Sequence, residues 1–192
     1  MLVLASTSPQ RRAILEQLRI PFEVVAPVYV EHDPPDADPV SLVRAHAEGK
    51  ARSVHQEREG VVTLGVDTTV HLDSVVYGKA SDRADAGRML DALSERTHTV
   101  LSGLCLLGVG PEAVVEHVFT RVTFRRLRAD DLEAYLASGE WEGRAGAYAI
   151  QGLGGRLVEH IDGDYLNVVG LPGAVLVDLL ARHAPELLQI GG

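Results

Sequence analysis

The sequence predicts a mixed α/β domain, and three observations carry that expectation. Strand-period and helix-period signals alternate from end to end. No repeat, low-complexity tract or linker interrupts them. At 192 residues the chain can build one substantial core, and its length demands no second domain.

Taken in order, the apolar run at residues 2–5 reads as a strand, opening into Ser6-Thr7-Ser8-Pro9-Gln10-Arg11-Arg12 and a helix through Leu18. Residues 24–38, rich in Pro and Asp, read as a strand followed by a loop. Over residues 39–54, Leu42, Val43, Ala47, Ala51 and Val54 fall on one helical face, and Lys50 lies in the same helix. β-Branched residues at 61–72 predict a strand that turns through Asp73-Ser74 into a short partner at 75–77. Ser81 or Asp82 caps a helix through Leu93, striped by Ala86, Met89, Leu90 and Leu93. Two long strands, 97–109 and 113–127, meet at a turn over 108–111 and predict an antiparallel ribbon within a mixed sheet. A helix at 129–137, a Gly-rich loop at 151–155, one or two further strands and a last helix beginning at Leu171-Pro172 complete the chain. The pattern fits a domain drawn out into two lobes around a cleft.

Composition narrows the function. With 46% apolar and 23% charged residues the chain is an ordinary folded protein. A net charge of −9 without a basic stretch argues against sequence-independent nucleic-acid binding, so a phosphate ligand should be small and held locally. The N-terminal apolar run is too short for a signal peptide and lacks its charged flank. No stretch is long enough to span a bilayer, and the expectation is a cytoplasmic protein without a membrane partner. The single cysteine, Cys105, sits in an apolar run and reads as core. The eight histidines are scattered without zinc-type pairing.

Several residues could carry chemistry. Ser8 as N-cap with Pro9 in the first turn leaves backbone N–H groups facing out of a helix start, where an anion is welcome. Arg11 and Arg12 add charge-assisted donors, although the same residues also make a plain capped helix. Asp67 interrupts the otherwise apolar and hydroxyl run Val61-Val62-Thr63-Leu64-Gly65-Val66-Asp67-Thr68-Thr69-Val70, and a carboxylate there needs a cation, a donor cluster or a metal. Glu31 and Asp33 are candidates to join Asp67 around a hard divalent ion. Lys50 and Lys79 can neutralise a polyphosphate, and Gly78 allows close backbone approach. In the small-residue stretch from Ala145 to Gly155, the Gln151 amide offers both a donor and an acceptor to a base edge. Neither a Walker A nor a Rossmann fingerprint is present.

Together these motifs resemble the Maf-like nucleoside triphosphate pyrophosphatases. The matches are Leu4-Ala5-Ser6-Thr7-Ser8-Pro9-x-Arg11, Lys50-Ala51, Gly65-x-Asp67-Thr68, Gly78-Lys79, Leu93-Ser94 with His98, Ala145-Gly146-Ala147-Tyr148 with Ile150-Gln151-Gly152, and Val169-Gly170-Leu171-Pro172. The resemblance implies an elongated single α/β domain over residues 1–192, with two lobes around a central nucleotide-binding cleft. It implies hydrolysis of a nucleoside triphosphate between the α and β phosphates, with Asp67 as the group that activates water. Lys50 and Lys79 join it in catalysis, Ser6, Ser8, Arg11 and Arg12 hold the triphosphate, and Glu31 with Asp67 place Mg²⁺ or Mn²⁺. It is also compatible with a homodimer.

Within that family the subgroup acting on dTTP and UTP looks closest, through Thr68 and Gln151. Gln10 stands where that subgroup carries Arg, and a neutral, shorter side chain cannot supply the same bidentate contact. Base selectivity is therefore assigned to Gln10, Thr68 and Gln151. Two alternatives stay open on the sequence: a pyrophosphatase for a non-standard purine or 7-methyl-GTP, and a nucleotide-binding regulator of cell division.

Overall fold

The computed structural model describes residues 1–32, 34, 37–56 and 60–189. Its sheet starts from β1 (Leu2–Ala5), in which all four residues are buried, as a strand covered on both faces requires. On one side β1 pairs in parallel with β2 (Phe22–Val25), and on the other with β3 (Val62–Leu72). A short β4 (Val75–Tyr77) turns back antiparallel on β3 through Asp73, which adopts positive φ. With β5 (Thr97–Leu107), β6 (Val114–Phe124) and β7 (Val158–Asp162), the order is β2-β1-β3-β5-β6-β7, β7 running antiparallel to β6. The expected mixed α/β class is therefore what the chain forms.

The chain divides into two compact units, Met1–Thr68 with Ser102–Val118 and Gly170–Gly192, and Thr69–Leu101 with Phe119–Val169. In the first, α1 (Pro9–Gln17) begins at the expected Ser8 cap with Pro9 in its first turn. Next, α2 (Pro39–His55) is capped by Asp38, whose carboxylate accepts the Ser41 N–H at 2.8 Å. Its buried face is Val43, His46, Ala47, Lys50, Ala51 and Val54, an apolar stripe interrupted by one imidazole and one ammonium. That face seats where the sheet has no side chain. A Cβ on Gly65 of β3 would lie 2.0 Å from the Ala47 carbonyl oxygen, and one on Gly103 of β5 would lie 2.2 Å from that of Val43. The seat fixes where Lys50 ends up.

The second unit holds α3 (Arg83–Leu93), capped by Asp82, and α4 (Ala129–Ala137). Its core gathers Val70, Leu72, Leu90, Leu93, Val122, Phe124, Tyr148 and Leu157. Within that core His98, Phe124 and Tyr148 meet edge to face, and His98 Nε2 shares a 2.8 Å hydrogen bond with the Tyr148 hydroxyl. Burial pushes the His98 imidazole down to about 4 and the Tyr148 phenol up, so both are neutral near pH 7.

Some boundaries differ from expectation. The Gly-rich loop continues into a 3₁₀ turn at Leu153–Leu157. One strand follows, β7, and then a short helix, α5 (Tyr165–Val169), that the sequence does not announce. Its β-branched Val168 and Val169 favour strand, and five residues are too few for a helical period to show. The Asp164 carboxylate starts it by accepting the Leu166 N–H at 2.8 Å. The last helix, α6 (Gly173–His183), follows Pro172 closely as expected.

Candidate active site

The turn after β1 is tied by its own hydroxyls. Buried Ser6 Oγ accepts the Ser8 N–H at 3.2 Å, and Ser8 Oγ accepts the Arg11 N–H at 3.5 Å as the cap of α1. The Ser8 hydroxyl in turn donates to Gln10 Oε1 at 3.2 Å, which draws Gln10 against the cap. Arg11 folds back over this turn. Its Nε donates to the Gly170 carbonyl at 2.9 Å, Nη1 to Ser6 Oγ at 3.1 Å and Nη2 to Thr68 Oγ1 at 3.2 Å. Burial lowers the guanidinium pKa, opposed by the Asp67 and Glu31 charges. An arginine carries five N–H donors, so some remain for a ligand oxygen.

The Thr68 hydroxyl is committed to the protein. It receives Arg11 Nη2, lies 2.9 Å from the fully buried Ser102 hydroxyl, and donates to Gly170 O at 3.4 Å. A hydroxyl has one proton and two lone pairs. The assignment that satisfies all three contacts has Ser102 donating to Thr68 and Thr68 donating to Gly170.

One residue before Thr68, Asp67 Oδ1 accepts from Lys50 Nζ at 2.6 Å, and the same ammonium meets Glu31 Oε1 at 2.5 Å. The side chains are 11% exposed for Lys50, 15% for Asp67 and 48% for Glu31, so solvent reaches the Glu31 end. The spacing is a consequence of the seat described above. Lys50 precedes Ala51, which packs on Gly65, and Asp67 lies two residues beyond Gly65 on the same strand. Glu31 arrives by a separate route. The Tyr29 ring packs against α2 at Gly49, where a Cβ would lie 2.3 Å from the ring, and stands edge-on to His46.

The donor chemistry suits a hard divalent cation. Two carboxylates from different segments converge on Lys50, and their two charges offset those of Lys50 and the nearby Arg11, leaving no surplus positive charge in this cluster for a triphosphate. Among the described residues no cluster of three or more His, Cys, Asp or Glu forms a ready cage. Two carboxylates completed by water and substrate phosphates is the usual Mg²⁺ arrangement, and Glu31 with Asp67 fit it. Asp33 lies outside the described residues.

Ser6, Ser8, Gln10, Arg11, Glu31, Lys50, Asp67 and Thr68 thus come together in the first unit. Arg12 does not join them: it is exposed and paired with Glu16 at 2.9 Å along α1. Lys79 and Gln151 belong to the second unit. Exposed Lys79 bridges by its backbone to Ala145, and the Gly146 N–H donates to the Tyr77 and Gly78 carbonyls. Two participants are given no role by the sequence motifs: Ser102, which lies in none of them, and the carbonyl of Gly170, which lies in the Val169-Gly170-Leu171-Pro172 match. A lone hydroxyl inside the buried run of β5 is the signal that would have found Ser102, by the logic that singles out Asp67 in β3. Buried Cys105, its thiol pushed up to about 12 chiefly by burial, takes the packing role expected of it.

A family model described as Maf-like protein matches residues 1–183. The chain belongs to the Maf-like proteins. Among its Maf-like relatives, a dTTP/UTP pyrophosphatase of Nitratidesulfovibrio vulgaris is 47% identical over 191 residues, covering 98% of this chain and 90% of the relative. One of Gloeobacter violaceus is 46% identical over 181 residues, covering 94% and 95%. One of Symbiobacterium thermophilum is 44% identical over 190 residues, covering 99% and 97%. No helix among the described residues is long and apolar enough to cross a membrane.

Proposed function

We propose that this Maf-like chain is a single catalytic domain that hydrolyses dTTP and UTP to the nucleoside monophosphate and pyrophosphate, in the cytoplasm. The observation that carries the chemistry is Lys50 held between Glu31 and Asp67, in the unit where the half-buried Arg11 guanidinium folds over the turn after β1. The base assignment rests on the relatives' names.

In this reading the N–H groups at the start of α1, the Ser6 and Ser8 hydroxyls and the spare Arg11 donors take phosphate oxygens. Lys50 exchanges a carboxylate for phosphate, and Lys79 adds a second ammonium. Asp67 orients a water at the anhydride and accepts its proton as the bond to the leaving pyrophosphate breaks. Glu31 and Asp67 would hold Mg²⁺ or Mn²⁺, which when bound offsets charge on the phosphates. Arg12, turned to Glu16, has no part in this scheme. Gln10 and Gln151 select the base. Thr68 supports Arg11 instead of touching the base, because its hydroxyl is already fully paired.

The test is pyrophosphate release with Mg²⁺ or Mn²⁺ over dTTP, UTP, CTP, the purine triphosphates, ITP and 7-methyl-GTP. Turnover led by dTTP and UTP is expected, and Asp67→Asn should lower it by about 10³-fold while the protein stays folded. A lead by ITP or 7-methyl-GTP would reassign the base, and binding without turnover would point to a regulator.

A further inference from the structure

We infer that Glu140 is a positioning residue that holds the Gln151 loop in its base-reading shape; the inference rests on the role proposed above for Gln151. Glu140 lies just past α4, and both of its carboxylate oxygens go to that loop. Oε1 accepts the Leu153 N–H at 3.0 Å, and Oε2 accepts the Gly154 N–H at 2.9 Å. These N–H groups open the 3₁₀ turn Leu153–Leu157, which has no side-chain cap from its own N-cap residue, Gly152. A carboxylate supplied from thirteen residues away takes that place. It is pressed closely against the loop, since a Cβ on Gly152 would lie 1.9 Å from Glu140 Oε1.

The other side of Gln151 is pinned as well. The Ala149 N–H donates to the hydroxyl of buried Tyr135 at 3.0 Å, and the Gly152 N–H closes a turn onto the Ala149 carbonyl at 3.1 Å. Burial raises the Tyr135 pKa, and the nearby Glu140 charge adds to the shift. Gln151 therefore stands exposed at the crest of a short arch whose two feet, Ala149 and Leu153, are fixed by Tyr135 of α4 and by Glu140. An exposed amide on a glycine-rich loop discriminates between bases only if its backbone is held before the ligand arrives. Glu140 supplies the foot nearest the glycines.

The experiment compares steady-state kinetics on dTTP and CTP for the wild type, Glu140→Ala, Glu140→Gln, Gln151→Ala and the Glu140→Ala/Gln151→Ala pair, with a thermal midpoint for each. Glu140→Ala should raise KM for dTTP about tenfold and leave kcat within about twofold. Glu140→Gln, which keeps one acceptor oxygen, should fall between. The dTTP-to-CTP ratio should drop to that of Gln151→Ala, and in the Gln151→Ala background the second change should move it no further. A folded Glu140→Ala or Glu140→Gln with unchanged KM and ratio overturns the inference, as does additivity in the pair. If Glu140→Ala does not fold, Glu140→Gln decides. A wild type that hydrolyses no triphosphate overturns the proposed function and this inference together, whereas an active wild type with silent Glu140 variants overturns this inference alone.

Discussion

The first unit gathers its buried polarity as ions, Lys50 between Glu31 and Asp67 and Arg11 over the turn after β1, whereas the second builds it from the neutral rings of His98 and Tyr148. Both arrangements keep polar groups out of bulk water, but they do so for different ends. An ion pair with a partly exposed partner can trade one carboxylate for an incoming phosphate. A dry imidazole–phenol contact has nothing to trade and fixes packing instead. Charge is kept in the unit proposed to exchange it, and is removed by burial where the side chains only pack.

That contrast breaks most severely at Gly65. In Gly65→Ala the new methyl meets the Ala47 carbonyl, so α2 must lift and carry Lys50 away from Asp67. The expected loss is more than about 3 kcal/mol in urea unfolding, together with loss of turnover. A variant as stable and active as the wild type would show that the seat is not what sets the ion pair.

Acid probes the neutral region. Between 6.5 and about 4 the imidazole of the unfolded chain takes a proton that folded His98 refuses. The unfolded state then binds more protons, so stability falls as pH drops through that window, by up to about 3 kcal/mol. Urea midpoints measured at pH 7, 6, 5 and 4 should decline, and a His98→Gln variant should lose that part of the slope.

The smallest effect sharpens the ionic side. Thr68→Val removes the hydroxyl that braces Arg11 but leaves the strand intact, and should lower kcat/KM about fivefold for dTTP, UTP and CTP alike. A selective loss on one base would mean that Thr68 touches it directly.

Much of this was legible in the chain. Ser8-Pro9 announces α1 because capping is a local matter, and Asp67 stands out because a carboxylate in an apolar strand must be answered by something. What answers it is not local. Lys50 reaches Asp67 through a helix seated on Gly65, and a glycine in a strand does not say which backbone approaches it. Arg11 and Arg12 look equivalent in sequence, and only the direction of the helix face sends one to Gly170 and the other to Glu16. Glu140 reads as an ordinary surface acid because its two partners are backbone N–H groups, which have no signature of their own.

The hydrogen bond from Arg11 to the Gly170 carbonyl joins residues 159 positions apart. On a ribosome adding about 5–20 residues per second, the arginine waits roughly 8–30 s for that acceptor to be synthesised. Until the C-terminal segment emerges, Arg11 lacks the partner that orients it, and Thr68 lacks the acceptor for its proton. The turn after β1 therefore matures only once residue 170 has been made, and a chain arrested before that point carries the turn without the contact that shapes it.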